Sequence, residues 1–263
     1  MTAQTGVLLR LDQAEVCIGS TRFGPFSFDV LAGERIAILG PSGAGKSSLL
    51  KVISGEYATA NGNLSLGGMP VESLRPAALS RVLAVLPQSY QNTFAMPVEL
   101  VIGLGRLGRV AGGDSNQIIR QSATLARAEH LLHRTTAGLS GGELARVHLA
   151  RVFAQLWDVS GGLLLVDEPL TALDPGLALE LFDRLSSFTR LRGHTLIAVL
   201  HDVQLALQEF DRLILIRQGQ LYADCPSSVD AIPILERLFE VRFRKHHADD
   251  LLFICATATQ GHS

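Results

Sequence analysis

Apolar and polar positions alternate loosely over residues 7–16, with Leu9, Leu11, Ala14 and Val16 on one side, and this predicts an early strand. Gly24-Pro25 reads as a turn, after which Phe26, Phe28 and Val30 alternate with Ser27, Asp29 and Leu31 in a second strand. Gly33-Glu34 turns the chain into the apolar run Arg35-Ile36-Ala37-Ile38-Leu39, and residues 48–53 follow at helical spacing. Asn61-Gly62-Asn63 reads as a tight turn before the strand Leu64-Ser65-Leu66, which Gly67-Gly68 closes. Residues 81–86 form a short apolar strand ending at Pro87-Gln88.

The pattern then changes. Residues 97–107, 115–132 and 141–156 carry helical periodicity without strand signals, and Asp114 or Ser115 caps the second helix. Residues 90–148 are accordingly expected to be an inserted helical subdomain. Strands at 162–166, 195–200 and 213–216 then alternate with helices at 175–189 and 203–209. Continuous apolar strands between helices predict a largely parallel sheet covered on both faces. Residues 226–258 read as a helix and a small β element, and no internal repeat is visible.

Composition narrows this picture by exclusion. With 263 residues, 47% of them hydrophobic, the chain can bury a sizeable core. A net charge of −2 with no block of like charges makes no case for nucleic-acid binding. Cys17, Cys225 and Cys255 are scattered without metal-ligand spacing, which fits reduced thiols and a cytoplasmic location. The first six residues show no signal peptide, and no run reaches the ~20 apolar residues of a membrane span.

The candidate chemistry centres on Gly40-Pro41-Ser42-Gly43-Ala44-Gly45-Lys46-Ser47-Ser48, which fits G-x-x-x-x-G-K-[ST] between a strand and a helix. Glycines there let backbone amides and a helix N-terminus approach a polyphosphate. Lys46 is placed to reach the β- and γ-phosphates, the Ser47 hydroxyl to ligate magnesium, and Ser48 to add a phosphate contact. A second apolar strand, Leu163-Leu164-Leu165-Val166, ends in Asp167-Glu168, delivering two carboxylates to the strand end where open α/β sheets bind ligands. Asp167 is then a candidate for the magnesium shell, and Glu168 for polarising a water as general base or orienting group. Leu139-Ser140-Gly141-Gly142-Glu143 opens a helix with exposed amides and a hydroxyl, either a capping box or a second anion site. Ser140 lies 27 residues before Asp167, at the close of the helical insertion.

Taken in order, these motifs resemble the ATP-binding cassette (ABC) ATPases, the nucleotide-binding subunits of ABC transporters, over about residues 9–256. Residues 40–48 match the Walker A loop, Gln88 the Q-loop glutamine, residues 139–143 the signature, residues 163–168 the Walker B strand and its glutamate, Leu173-Asp174 within Thr171-Ala172-Leu173-Asp174 the D-loop, and His201 the switch histidine. The resemblance implies an α/β fold: a P-loop NTPase (RecA-like) core sheet with an N-terminal antiparallel β part and the inserted helical subdomain. It implies one ABC domain, with a nucleotide-binding core at 7–89 and 149–225, a signature subdomain at 90–148 and a tail at 226–263.

It further implies ATP and Mg2+ as ligands. Gly40, Pro41, Ser42, Gly43, Ala44, Gly45, Lys46, Ser47, Ser48, Gln88, Ser140, Gly141, Gly142 and Asp174 would bind the nucleotide. Ser47, Gln88 and Asp167 would hold the metal, and Glu168, His201 and Lys46 would be catalytic. Two copies would pair head-to-tail with each ATP between the Walker A of one and the signature of the other. The segment from Gln88 to about Arg106 would dock on an integral-membrane permease at the cytoplasmic face of the inner membrane, with a periplasmic binding protein as an indirect partner. His201 would contact the γ-phosphate.

Val85-Leu86-Pro87-Gln88, Pro97-Val98-Glu99 with Gly103-Leu104-Gly105-Arg106, residues 150–157 and Val199-Leu200-His201-Asp202 are similar to importer ATPases for haem and ferric siderophores, and residues 20–27 with Phe243-Arg244 to the vitamin B12 importer ATPase. The other expectations are a soluble ABC ATPase without a permease and an importer for another cargo. A phosphate-loop kinase or GTPase fits less well, since residues 139–143 argue against it and no N-K-x-D motif is present. The family's adenine-stacking aromatic has no clear match, Cys17 or Ile18 standing near its place and Phe23 being the candidate substitute; Ala145 stands where the signature helix usually carries glutamine, and Leu170 replaces a commoner threonine.

Overall fold

In the computed structural model, which describes residues 6–88, 95–107, 109, 114–168, 173–248 and 251–258, the chain opens with strands β1 (Val7–Ile18) and β2 (Thr21–Leu31). Leu9, Leu11, Ala14 and Val16 of β1 and Phe26, Phe28 and Val30 of β2 are buried. The two-residue period slips between Leu11 and Ala14 because Gln13 takes a left-handed φ of 50°, an irregularity that re-aims the strand. This corrects two expectations. Gly24-Pro25 lies inside β2, not in a turn before it. Asn61-Gly62-Asn63 begins β4 (Asn61–Leu66), where the missing side chain of Gly62 admits the Gln13 carbonyl; a Cβ would lie 2.0 Å from that oxygen. With β5 (Met69–Pro70), these strands form a sheet of order β2-β1-β4-β5.

The remaining elements follow as β3 (Arg35–Leu39), α1 (Lys46–Ile53), α2 (Pro76–Val82), β6 (Leu83–Leu86), α3 (Val98–Gly103), α4 (Ser115–Leu125), α5 (Gly141–Leu156), β7 (Leu163–Asp167), α6 (Pro175–Arg192), β8 (Thr195–Val199), α7 (Val203–Glu209), β9 (Arg212–Arg217), β10 (Gln220–Pro226), α8 (Ile232–Phe239), β11 (Val241–Ala248) and β12 (Leu251–Ala258). The second sheet has the order β10-β9-β3-β8-β7-β6. Its pairs β3–β9 and β6–β7 are parallel, while β10 returns antiparallel beside β9. Every residue of β3 and β8 is buried, as the continuous apolar runs require, each large aliphatic side chain contributing roughly 1.5–3 kcal/mol.

Helical expectations hold best at α5 and α7, whose bounds coincide with the periodicity. Residues 81 and 82 belong to α2, not to a strand: Pro76 supplies the fixed φ of a first helical turn, a signal the short apolar run obscured. The helix expected over 115–132 stops at Leu125, since Arg127 takes a left-handed φ of 55°. Asp114 is its cap, accepting from the Asn116 amide at 3.0 Å. α6 runs on past Thr189 to Arg192, where Gly193 closes it with a left-handed φ of 64°.

The chain divides into two compact units. Met1–Leu9, Asp29–Gly33 and Ser65–Ile197 form one, and Arg10–Phe28, Glu34–Leu64 and Ala198–Ser263 the other. The first is built on α5, whose Phe153 stacks on Phe188 of α6 with centroids 4.4 Å apart and whose Gln155 donates to the Ser80 and Leu83 carbonyls at 2.9 Å. In the second, the β11–β12 hairpin is tied to α7 by the Ile254 amide donating to Gln204 Oε1 at 2.8 Å, and to α8 by the Phe243 amide donating to Glu236 Oε1 at 2.8 Å.

His194 in the first unit carries a stability prediction. It is 1% exposed, its Nδ1 accepts from the Gly162 amide at 3.0 Å, and its Nε2 is buried without a hydrogen-bond partner among the described residues. Burial pushes its pKa down from 6.5 to about 4, as it does for His148. The unfolded chain therefore takes up these protons near pH 6.5 and the folded chain only near pH 4, so their contribution is complete above pH 6.5 and is lost as pH falls toward 4. The Tm of wild type should fall on acidification through this window, and His194→Asn, which keeps an acceptor for Gly162, should fall less steeply. Equal slopes would assign the acid sensitivity elsewhere.

Candidate functional site

In the second unit, β3 delivers the chain to Gly40, and the loop curls back over its own carbonyls. Gly43 and Gly45 adopt φ values of 76° and 98°, and the Ala44 amide donates to the Pro41 carbonyl at 3.1 Å. Lys46 is 5% exposed, and its ammonium donates to the Gly40 carbonyl at 2.9 Å and the Pro41 carbonyl at 3.1 Å. α1 starts at Lys46 with no side chain capping it, and Ser47 and Ser48 sit half-buried in its first turn. Amides, a helix N-terminus and one ammonium thus converge at the loop, the arrangement that holds a polyphosphate. His201 is exposed in the residue after Leu200, whose amide donates to the Ile38 carbonyl at 3.1 Å. Asp202 caps α7 beside it by accepting from the Leu205 amide at 3.0 Å.

In the first unit, the parallel register of β6 and β7 pairs Leu86 with Val166. Two residues beyond each strand-end partner stand Gln88 and Glu168, brought to the same level. Gln88 Nε2 donates to Glu168 Oε2 at 2.9 Å. Glu168 is 9% exposed and takes a left-handed φ of 44°, a strained conformation of the kind that collects at reacting sites. Asp167 ends β7 half-buried directly before it.

The signature turn is in the same unit. Ser140 Oγ accepts from the Glu143 amide at 3.2 Å, while Glu143 Oε2 accepts from the Ser140 amide at 2.8 Å, a complete capping box. These bonds, with Arg134 at 2.7 Å, hold the Glu143 carboxyl below its usual pKa, the Ser140 amide being the largest cause. Capping uses the serine oxygen as acceptor and leaves its O–H able to donate, so the cap does not preclude an anion contact. Ser140 and Gly141 are exposed. Gly142 packs on Leu177 of α6, and Asp174 caps that helix by accepting from the Leu177 amide at 3.0 Å, which sets the signature and D-loop residues side by side. Thr171, Ala172 and Leu170, and residues 89–94 of the docking segment, lie outside the described residues. Ala145 is 3% exposed, a position where an apolar side chain leaves no polar group stranded.

The family model described as ABC transporter matches residues 23–171, which span the phosphate loop, Gln88, the signature turn and Asp167-Glu168. The chain belongs to the ABC transporter family. As an ABC ATPase it binds ATP and hydrolyses it. The hemin import ATP-binding protein HmuV of Pseudomonas aeruginosa is 42% identical over 204 residues, covering 77% of this chain and 80% of that protein. The protein of the same name from Rhodopseudomonas palustris is 35% identical over 228 residues, covering 85% and 84%. Among solved structures, a transporter described as of metal-chelate type, in an inward-facing conformation, superposes with a TM-score of 0.78 at 20% identity, covering 96% of this chain and 97% of that one. An ATP-binding cassette of an ABC transporter in its ADP conformation gives 0.75 at 22% identity, covering 90% and 98%. These two likenesses establish the ABC cassette fold.

The bond from Gln88 to Glu168 in this ABC ATPase has no signature in the sequence. Nothing in the motif order announces it, because it depends on the strand register of β6 against β7.

Proposed function

We propose that this ABC ATPase powers the import of haem through a separate membrane permease. The identity to hemin import ATP-binding proteins, 42% over 204 residues, is the observation that carries this reading. Among the described residues, no helix is long and apolar enough to cross a membrane. The permease would be a partner, with this subunit lying peripherally on the cytoplasmic face of the inner membrane. Exposed Leu100, Leu104 and Leu107 lie within or just beyond the segment that would dock on that partner. A periplasmic binding protein would supply the cargo, and no nucleic acid would be involved. The core at 7–89 and 149–225, the helical subdomain at 90–148 and the tail at 226–263 would act as one ABC domain.

Within that reading, the loop from Gly40 to Ser48 binds the ATP phosphates, and Lys46 offsets the charge of the β- and γ-phosphates. Ser47, Gln88 and Asp167 offer a hydroxyl, an amide oxygen and a carboxylate, a hard oxygen donor set that suits Mg2+. When bound, Mg2+ would neutralise phosphate charge during transfer. Glu168 accepts or orients the proton of the attacking water as its oxygen bonds to the γ-phosphorus and the bond to the bridging oxygen of ADP breaks. His201 steadies that water against the γ-phosphate. Ser140, Gly141, Gly142 and Asp174 act across a head-to-tail pair, where the signature turn of a second copy closes over the phosphates.

Deletion of the subunit in cells should abolish haem uptake, with wild type restoring it and Glu168→Gln failing to do so. Loss of ferric-siderophore or cobalamin uptake instead would reassign the cargo. Unchanged uptake of all three would favour an ABC ATPase without these permeases.

A further inference from the structure

The phosphate loop does not hold its shape alone. Phe23, near the start of β2, turns its ring onto it: a Cβ built at Gly45 would lie 2.6 Å from Phe23 Cδ1 and 2.9 Å from Cε1, so the ring occupies space that only a glycine leaves open. The same ring reaches Gly219 in the turn between β9 and β10, where a Cβ would lie 3.1 Å from Cδ1. Gly219 also ties the two together through its backbone. Its amide donates to the Ala44 carbonyl at 2.9 Å, and its carbonyl accepts from the Gly24 amide at 2.6 Å. At the loop's other end, a Cβ on Gly40 would lie 2.2 Å from the Ile216 carbonyl oxygen. Both ends of the loop therefore bear on the β9–β10 hairpin, with the Phe23 ring wedged between turn and loop.

A trans peptide is planar, with its carbonyl and N–H pointing in opposite directions. Once the Ala44 carbonyl is bonded to Gly219, the Gly45 N–H is directed away from the hairpin. Gly45 is left-handed at φ 98° and immediately precedes Lys46, so a rotation of this one peptide would turn the amide and displace the start of α1. The ring against Gly45 and the bond to Ala44 restrain that rotation from two sides.

We propose that Phe23 and the Gly219 turn are positioning residues for nucleotide binding, holding the 44–45 peptide so that its amide faces the bound phosphates. The inference rests on the reading that this loop binds ATP. It accounts for a ring spent on two glycines and for a turn bonded to residues far from it in sequence, neither of which the phosphate contacts themselves require. Preorganised donors of this kind raise affinity by removing the cost of ordering them on binding.

The test compares wild type with Phe23→Leu, which keeps an apolar side chain but removes the ring, and Phe23→Tyr, which keeps the ring. Dissociation constants for ATP and for inorganic tripolyphosphate, KM, kcat and Tm are measured on the full chain. Phe23→Leu should weaken the binding of ATP and of inorganic tripolyphosphate alike, about tenfold, and raise KM for ATP in step while kcat holds, with Phe23→Tyr close to wild type. A loss for ATP alone would make the ring an adenine contact and overturn the positioning role. Gly219→Ala should weaken binding too, and the double variant Phe23→Leu/Gly219→Ala should fall short of the sum of the two, since ring and turn brace the same peptide. An unchanged ATP affinity in Phe23→Leu with only a lowered Tm would overturn the proposal and make the ring simple packing, and strict additivity with Gly219→Ala would overturn it as well. A wild-type chain that fails to bind ATP in the same assay would overturn the nucleotide reading, and this inference with it.

Discussion

Glu168→Gln should leave ATP bound and stop its hydrolysis. The carboxylate accepts from Gln88 Nε2 at 2.9 Å, and a glutamine oxygen can take the same bond, so the side chain should keep its place in the 9% exposed position it now fills. What the amide cannot do is take a proton from water. Loss of one positioned acid–base group costs about 10²–10⁴ in rate, so kcat should fall by that factor while the ATP dissociation constant stays near wild type. A head-to-tail pair closed on ATP should then accumulate, visible as a shift to the dimer on gel filtration with ATP. Phosphate release within tenfold of wild type would remove Glu168 from the reacting centre and leave Asp167 and His201 as the groups to examine.

Lys46→Ala should have the opposite signature, with binding lost first. The ammonium donates to the Gly40 and Pro41 carbonyls from a 5% exposed position, bracing the loop across its mouth, and it is the one cation within the loop sequence. Hydrogen bonds to charged groups contribute about 1.5–3 kcal/mol each, so ATP affinity should fall roughly 10- to 100-fold or more. Titration with a fluorescent ATP analogue reads this directly. A variant that binds ATP normally and fails only in turnover would place Lys46 in the chemical step alone. Together the two substitutions separate holding the nucleotide from cleaving it.

How legible each part was depended on whether its physics is local. The phosphate loop, the Asp167-Glu168 strand end and the signature turn are each short runs in which residue type and backbone demand coincide. Glycine allows the left-handed Gly43 and Gly45, and a serine with a glutamate three residues on makes the capping box of α5. The bounds of α5 and α7 followed from periodicity for the same reason. Misreadings fell where a neighbour distant in sequence overrode a local signal. Gly24-Pro25 and Gly62 carry turn residues yet lie within strands, because Ala14 and Gln13 in β1 approach their backbones closely. The end of α2 looks like strand in sequence because seven residues give too little periodicity to outweigh the apolar run after it.

Residue order is enough to say which groups are available: a glycine loop with a lysine, two carboxylates after an apolar strand, a serine-glycine helix start, a glutamine and a histidine, in the order of an ABC ATPase. Tertiary structure alone decided how those groups are held. The register of β6 on β7 brings Gln88 to Glu168, and the β9–β10 turn brings Gly219 to Ala44, 175 residues earlier in the chain. Composition and spacing report what each short segment prefers on its own, whereas strand register and the close approach of one backbone to another are settled only when distant segments pack together.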